Sequence, residues 1–132
     1  MPVIDFHLHP LEYEAYQPGA KAYLESVIGE DMERYIERMA TPEAIVAMLE
    51  ESGVDYAVVL AELSPITTGM MSNEGVAEFC RASERLIPFA NINPYLVASP
   101  AKELERCVKE LGSRGLELYP TYQHFYPNVS AL

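Results

Sequence analysis

The hydrophobic pattern along this chain switches repeatedly between period two and period three to four. Val3-Ile4-Asp5-Phe6-His7-Leu8-His9-Pro10 is a short apolar run stopped by a proline, and it reads as a buried strand. Alternation along an extended strand predicts Asp5, His7 and His9 on one face and Ile4, Phe6 and Leu8 on the other. Leu24, Ile28, Met32, Tyr35 and Met39 then recur at spacings of four and three. That is the stripe of an amphipathic helix, kinked near Gly29, within a long connection over residues 11–40. Such an insertion is either a lid over a site or a plain surface helix.

Thr41-Pro42-Glu43 combines a hydroxyl N-cap, a proline at the first helical position and an acid in the first turn. Ile45, Met48 and Leu49 supply the apolar stripe of this helix, and Gly53 its stop. The nearly continuous apolar run over residues 54–61 reads as a parallel strand buried on both faces. Residues 64–72 read as a loop, and Asn73 as the cap of a helix carrying Val76, Phe79, Cys80 and Leu86. A third strand covers residues 87–93, with Asn91 and Asn93 on one face near its end, where they either line a site or hold a loop. Ser99-Pro100 opens a helix striped by Leu104, Val108 and Leu111 that stops at Gly112, and residues 115–119 form a fourth strand closed by Pro120. An aromatic loop follows, with no further helix.

Apolar strands alternating with helices imply right-handed crossovers and a parallel sheet, here in the spatial order one to four. The later strands recur at close to the roughly 31 residues per unit of an eight-unit (β/α)8 TIM barrel. The expectation is therefore one α/β domain over residues 1–132 that holds about the first four βα units, with an insertion at about 11–40.

Composition narrows the partners. The 132 residues are 49% hydrophobic and 22% charged, as in an ordinary globular chain. The net charge of −11 repels phosphate backbones and anionic membrane surfaces, so the chain reads as binding neither nucleic acid nor membrane. No run of apolar residues approaches a membrane span, and no basic-then-apolar leader precedes the first strand, so a cytoplasmic location is expected. Cys80 and Cys107 fall among apolar neighbours and read as free, buried thiols.

Of three histidines in the chain, two are His7 and His9. Imidazoles at i and i+2 on one strand face have the spacing to chelate one divalent metal such as zinc; the competing reading is two polar residues at a strand end. A catalytic zinc takes three protein ligands and a water, so the pair alone is half a site. His124, after the fourth strand, is either a further contact at the same end or a free loop histidine.

Four motifs in order carry a resemblance: Ile4-Asp5-Phe6-His7-Leu8-His9-Pro10, the strand from Gly53 to Leu60, Pro88-Phe89-Ala90-Asn91-Ile92-Asn93-Pro94, and Gly115-Leu116-Glu117-Leu118-Tyr119-Pro120. Together they resemble the amidohydrolase superfamily, specifically the amidohydrolase 2 branch that includes aminocarboxymuconate-semialdehyde decarboxylase-like enzymes. The resemblance implies a metal-dependent (β/α)8 barrel in which His7 and His9 bind a divalent metal, most often zinc. It further implies a histidine after the fifth strand, another at the sixth and an aspartate after the eighth, positions beyond these 132 residues. Glu117 departs from the pattern, since relatives often carry lysine there; a barrel-interior ion-pair partner and a ligand to a second metal are the two readings.

The resemblance implies hydrolysis of a C–N or C–O bond, or decarboxylation, of a small carbonyl or carboxylate substrate, with no catalytic residue assigned in this half. A chain of four units alone is expected to be inactive, and to self-associate or pair with a carboxyl-terminal half. A non-catalytic half-barrel that associates with another chain is one alternative. A PHP- or TatD-like phosphoesterase is another, disfavoured by the acidic charge.

Overall fold

The computed structural model describes residues 1–128. Four strands, β1 (Ile4–Leu8), β2 (Tyr56–Leu60), β5 (Leu86–Asn91) and β6 (Gly115–Glu117), form one sheet in that spatial order, every neighbouring pair parallel. This is the predicted order. The sheet is curled, and helices cover one face.

That covered face holds the core. Ala57, Val59 and Ala61 of β2 and Leu8 of β1 pack with Ile45 and Leu49 of α3 (Pro42–Ser52) and with Val76 and Cys80 of α4 (Asn73–Cys80). Full burial of each large aliphatic side chain contributes about 1.5–3 kcal/mol. The local signals behind these helices behave as their chemistry dictates. Thr41 caps α3 by accepting from the Ala44 amide, and Gly53 closes it with φ 68°, a left-handed conformation that costs glycine little. At α4 the cap is Ser72, whose hydroxyl accepts from the Gly75 amide, and not Asn73, whose side chain turns inward to the sheet. A second, smaller core of Ala90, Ile92 and Cys107 lies under α5 (Pro100–Lys109). Both cysteines are free and buried.

The opposite face is open. Ile4 and Phe6 are exposed, Phe6 at 64%. Phe6 meets Phe89 edge-on with ring centroids 5.5 Å apart, across the buried Val58. In a closed barrel such side chains would face an opposite wall.

Three segments depart from the sequence reading. Residues 64–72, expected as a loop, instead carry most of an antiparallel hairpin of β3 (Glu62–Ser64) and β4 (Gly69–Met71), too short to show alternation. The loop after the fourth strand opens as a one-turn helix, α6 (Pro120–Gln123), whose capping residue His124 is left-handed at φ 57°. The long connection is two helices, α1 (Pro18–Ile28) and α2 (Met32–Met39), broken at Gly29, φ 66°. Among the described residues no helix is long and apolar enough to cross a membrane.

The insertion is tied to the hairpin. The Gln17 amide donates to the Thr68 carbonyl at 2.8 Å, its side chain to the Pro65 carbonyl at 2.7 Å, and Tyr16 bridges Gly69. A Cβ at Gly69 would stand 2.7 Å from the Ala15 carbonyl oxygen and 3.0 Å from Tyr16 Cα, so backbone must move to admit it. Gly69→Ala is therefore expected to destabilise the chain by about 1–3 kcal/mol in urea denaturation and to speed amide exchange at Gln17. Unchanged stability and exchange would show that this seam does not hold the insertion.

Candidate metal centre

The site sits at the carboxyl end of the sheet, where β1 does not keep its pleat. Asp5 pairs with Ala57 and Leu8 with Val59, so three steps along β1 match two along β2. The additional residue is a β-bulge, which re-aims side chains near strand ends. Ala57, Val59 and Leu8 belong to the helix-covered core, and Asp5 falls in register with that face. Phe6 and His7 both fall between these pairs and are exposed. Asp5, His7 and His9 all line one cavity. The Asp5 carboxylate accepts from the His7 amide at 3.0 Å, satisfying the backbone of the bulge.

His7 and His9 converge. Their Nε2 atoms lie 3.2 Å apart, with the ring planes at 70°. Glu117, on β6, reaches across the curled sheet to place Oε1 3.6 Å from His7 Nδ1. One ligand atom from each of His7, His9 and Glu117 lies within 4.8 Å of the others. His124, by contrast, does not join them: its side chain is exposed beyond α6, and its carbonyl accepts from the Tyr95 hydroxyl at 3.2 Å.

The donor set fits a divalent ion. Two nitrogens on a tetrahedral zinc, each at 2.0–2.1 Å, stand about 3.3 Å apart, close to the separation of the two Nε2 atoms. Glu117 Oε2 is buried with no hydrogen-bond partner, an arrangement that needs a compensating charge or donor. Two imidazoles and a carboxylate also make up the usual three protein ligands of a catalytic zinc.

Burial sets the protonation of these groups. His9 is pushed down to about 4, chiefly by desolvation and secondarily by the charge of His7, against an opposing pull from the Leu60 carbonyl. Its ring is neutral at physiological pH. Burial also raises the Glu117 carboxyl, with His7 acting in the opposite direction. Tyr119, two residues on from Glu117, places its hydroxyl 2.7 Å from His9 Nε2 and stacks on Tyr122. Desolvation, then the neighbouring Glu117 and Glu62 carboxylates, keep the Tyr119 hydroxyl protonated. The sequence reading passed over Tyr119, although alternation from Glu117 brings it to the same face.

Asn91 and Asn93 do not line the site; they hold it. Asn91 Oδ1 accepts from the Leu63 amide and the Gln123 side chain, and its Nδ2 donates to the Glu117 carbonyl at 3.0 Å. Asn93 Nδ2 donates to the Leu63 carbonyl at 2.8 Å.

Beside the histidines the insertion roofs a cavity of about 410 Å³, walled by Tyr16, Tyr23, Tyr35 and Met39 together with His7 and His9.

Three solved structures share the fold. A 5-carboxyvanillate decarboxylase from Novosphingobium aromaticivorans, with bound manganese and 3-methoxy-4-hydroxy-5-nitrobenzoic acid, is 17% identical with a TM-score of 0.69, over 98% of this chain and 45% of its own. A 2,6-dihydroxybenzoate decarboxylase complexed with 2,6-dihydroxybenzoate is 18% identical with a TM-score of 0.62, over 88% of this chain and 39% of its own. An uncharacterised TIM-barrel protein from Bordetella bronchiseptica is 21% identical with a TM-score of 0.59, over 91% and 44%. The chain thus spans less than half the length of each. Among curated proteins none matches. With the parallel half-barrel, the paired histidines and a match of residues 4–132 to the profile of the family described as amidohydrolase, this chain belongs to the amidohydrolase family.

Proposed function

We propose that the chain is the amino-terminal half of a metal-dependent hydrolase of this family, and that His7 and His9, with Glu117, hold its divalent ion. The observation that carries the proposal is the 3.2 Å approach of His7 Nε2 to His9 Nε2 beside the Glu117 carboxylate. Zinc is the ion proposed for a site of two nitrogens and an oxygen, with manganese, found in one of the similar structures, as the alternative. Such an ion polarises a carbonyl oxygen and lowers the pKa of bound water toward about 7.

The chain's own groups have separable tasks. His9, kept neutral by its burial, presents a lone pair at neutral pH. Glu117, with Oε1 3.6 Å from His7 Nδ1, supplies negative charge beside the imidazoles. The Tyr119 hydroxyl is a hydrogen-bond donor held at the same point. In hydrolysis, water adds to the substrate carbonyl carbon and the C–N or C–O bond breaks, giving a carboxylic acid and an amine or alcohol. A second reading, decarboxylation, is favoured by the names of two of the three similar structures.

The open inner face and the unpaired edges of β1 and β6 are part of this reading. They are closed by a further half-barrel, either a continuation of the chain or a second copy, which also brings the remaining groups of the site. The substrate is a small molecule entering the cavity under the insertion.

Two outcomes are expected. Zinc titrated into the full chain by calorimetry should bind, with affinity lowered at least about tenfold by His7→Ala or His9→Ala and about 10–100-fold by Glu117→Gln. Affinity unchanged in the double histidine variant would refute the assignment. The second outcome concerns pH and the metal-free chain. The folded His9 titrates at about 4 against 6.5 unfolded, so the unfolded state takes up the proton first. The stability gained from a neutral His9 is complete above 6.5 and is lost as pH falls through 4. Subtracting the urea profile of His9→Asn from that of the parent should leave a difference that shrinks as pH falls below 6.5; a flat difference would contradict the burial of the ring.

A further inference from the structure

Tyr119 occupies the atom that an ion at this site would need. Its hydroxyl lies 2.7 Å from His9 Nε2, closer than His7 Nε2 at 3.2 Å. The Leu60 carbonyl favours a proton on the His9 ring. Since Nε2 faces a hydroxyl that keeps its own proton, the ring proton belongs on Nδ1, and Nε2 carries the single lone pair of the neutral imidazole. The phenol therefore donates and Nε2 accepts. In the metal-free fold this bond satisfies a half-buried acceptor that would otherwise be left without a partner.

The same lone pair is the one through which His9 would share an ion with His7. An ion at about 2.0–2.1 Å from both Nε2 atoms lies along it, and one lone pair does not hold a metal and a phenol hydrogen together. The hydroxyl must turn away, and the structure offers it a destination. Glu117 Oε2, two residues earlier, is buried without a hydrogen-bond partner, and the Tyr119 hydroxyl already acts on that carboxyl. The Tyr119 ring is held in place by stacking on Tyr122, with centroids 5.5 Å apart and planes 11° from parallel. The hydroxyl proton is re-aimed by rotation about the C–O bond while the ring stays where it is.

We propose that Tyr119 is a positioning residue that caps His9 Nε2 in the metal-free chain and passes its hydrogen bond to Glu117 Oε2 when a divalent ion enters. The proposal rests on the reading above that His7, His9 and Glu117 hold the ion. Two consequences follow for the rates of exchange. Entry of the ion is slowed, because a hydrogen bond must break first. Departure is slowed as well, because a carboxylate ligating through Oε1 is braced by a donor on its other oxygen. Removing the hydroxyl therefore speeds both steps and changes the affinity little.

The test measures zinc exchange in the full chain by stopped flow, association with a fluorescent zinc indicator and release by mixing with excess chelator. Tyr119→Phe keeps the ring and its stack and removes only the hydroxyl. Association and release are each expected to quicken at least about threefold, the effect of losing one neutral hydrogen bond. Tyr122→Phe, which keeps the stack and the Tyr119 hydroxyl, is expected to leave both rates unchanged. In nitrogen-15 spectra of the metal-free chain, Tyr119→Phe should move the His9 Nε2 resonance downfield, toward that of a lone pair without a donor, a signature that a purely structural role would not move. Zinc uptake with either rate unaltered in Tyr119→Phe, or an unmoved Nε2 resonance, would overturn this proposal and leave the metal assignment standing. Failure of the parent chain to take up zinc would overturn both.

Discussion

The mouth of this sheet depends on one buried side-chain amide. Asn91, fully buried at the end of β5, accepts from the Leu63 amide and from Gln123, and donates to the Glu117 carbonyl, while Asn73 bonds both its backbone amide and its carbonyl. Strands end where ladder hydrogen bonds run out, and the freed backbone groups must still be paired when they are buried. Here a single residue pairs groups from the hairpin, from β6 and from α6. The backbone at Glu117, and hence the reach of its carboxylate toward His7, is fixed by that pairing. An apolar residue of similar size would leave several buried donors and acceptors orphaned at once, each at about 1–3 kcal/mol.

On this frame the end of β1 carries the histidine pair. The Asp5 carboxylate accepts from the His7 amide at the bulge, and the two imidazoles stand 3.2 Å apart. Two basic rings at that distance are compatible only while at most one is charged, and burial of His9 selects it as the neutral one. The same burial leaves the Glu117 carboxyl with an unpartnered oxygen. Groups held this way are organised for a cation in advance, since most of the desolvation has already been met by folding.

Much of this was legible in the sequence. The four parallel strands and their order follow from apolar runs separated by capped helices, and the break at Gly29 from the lone glycine in a helical stripe. The histidine pair is visible because both residues are local, two positions apart. The bulge is not visible, because it leaves the alternation of residue types along the run unchanged. Glu117 was legible as a departure but not as a neighbour of His7: the two are 110 residues apart in sequence and three strands apart in the sheet, and only the curl brings them together. The hairpin at Glu62–Ser64 and Gly69–Met71 has three residues per strand, fewer than a period-two pattern needs to show itself.

The central claim is that His7 and His9 share one ion. X-ray absorption at the zinc edge of the loaded chain measures this directly. The account predicts two imidazole nitrogens at about 2.0–2.1 Å, together with oxygen ligands, and the loss of one imidazole signal in His7→Ala and in His9→Ala. A shell of oxygens alone, or a spectrum unaltered by either substitution, would contradict it.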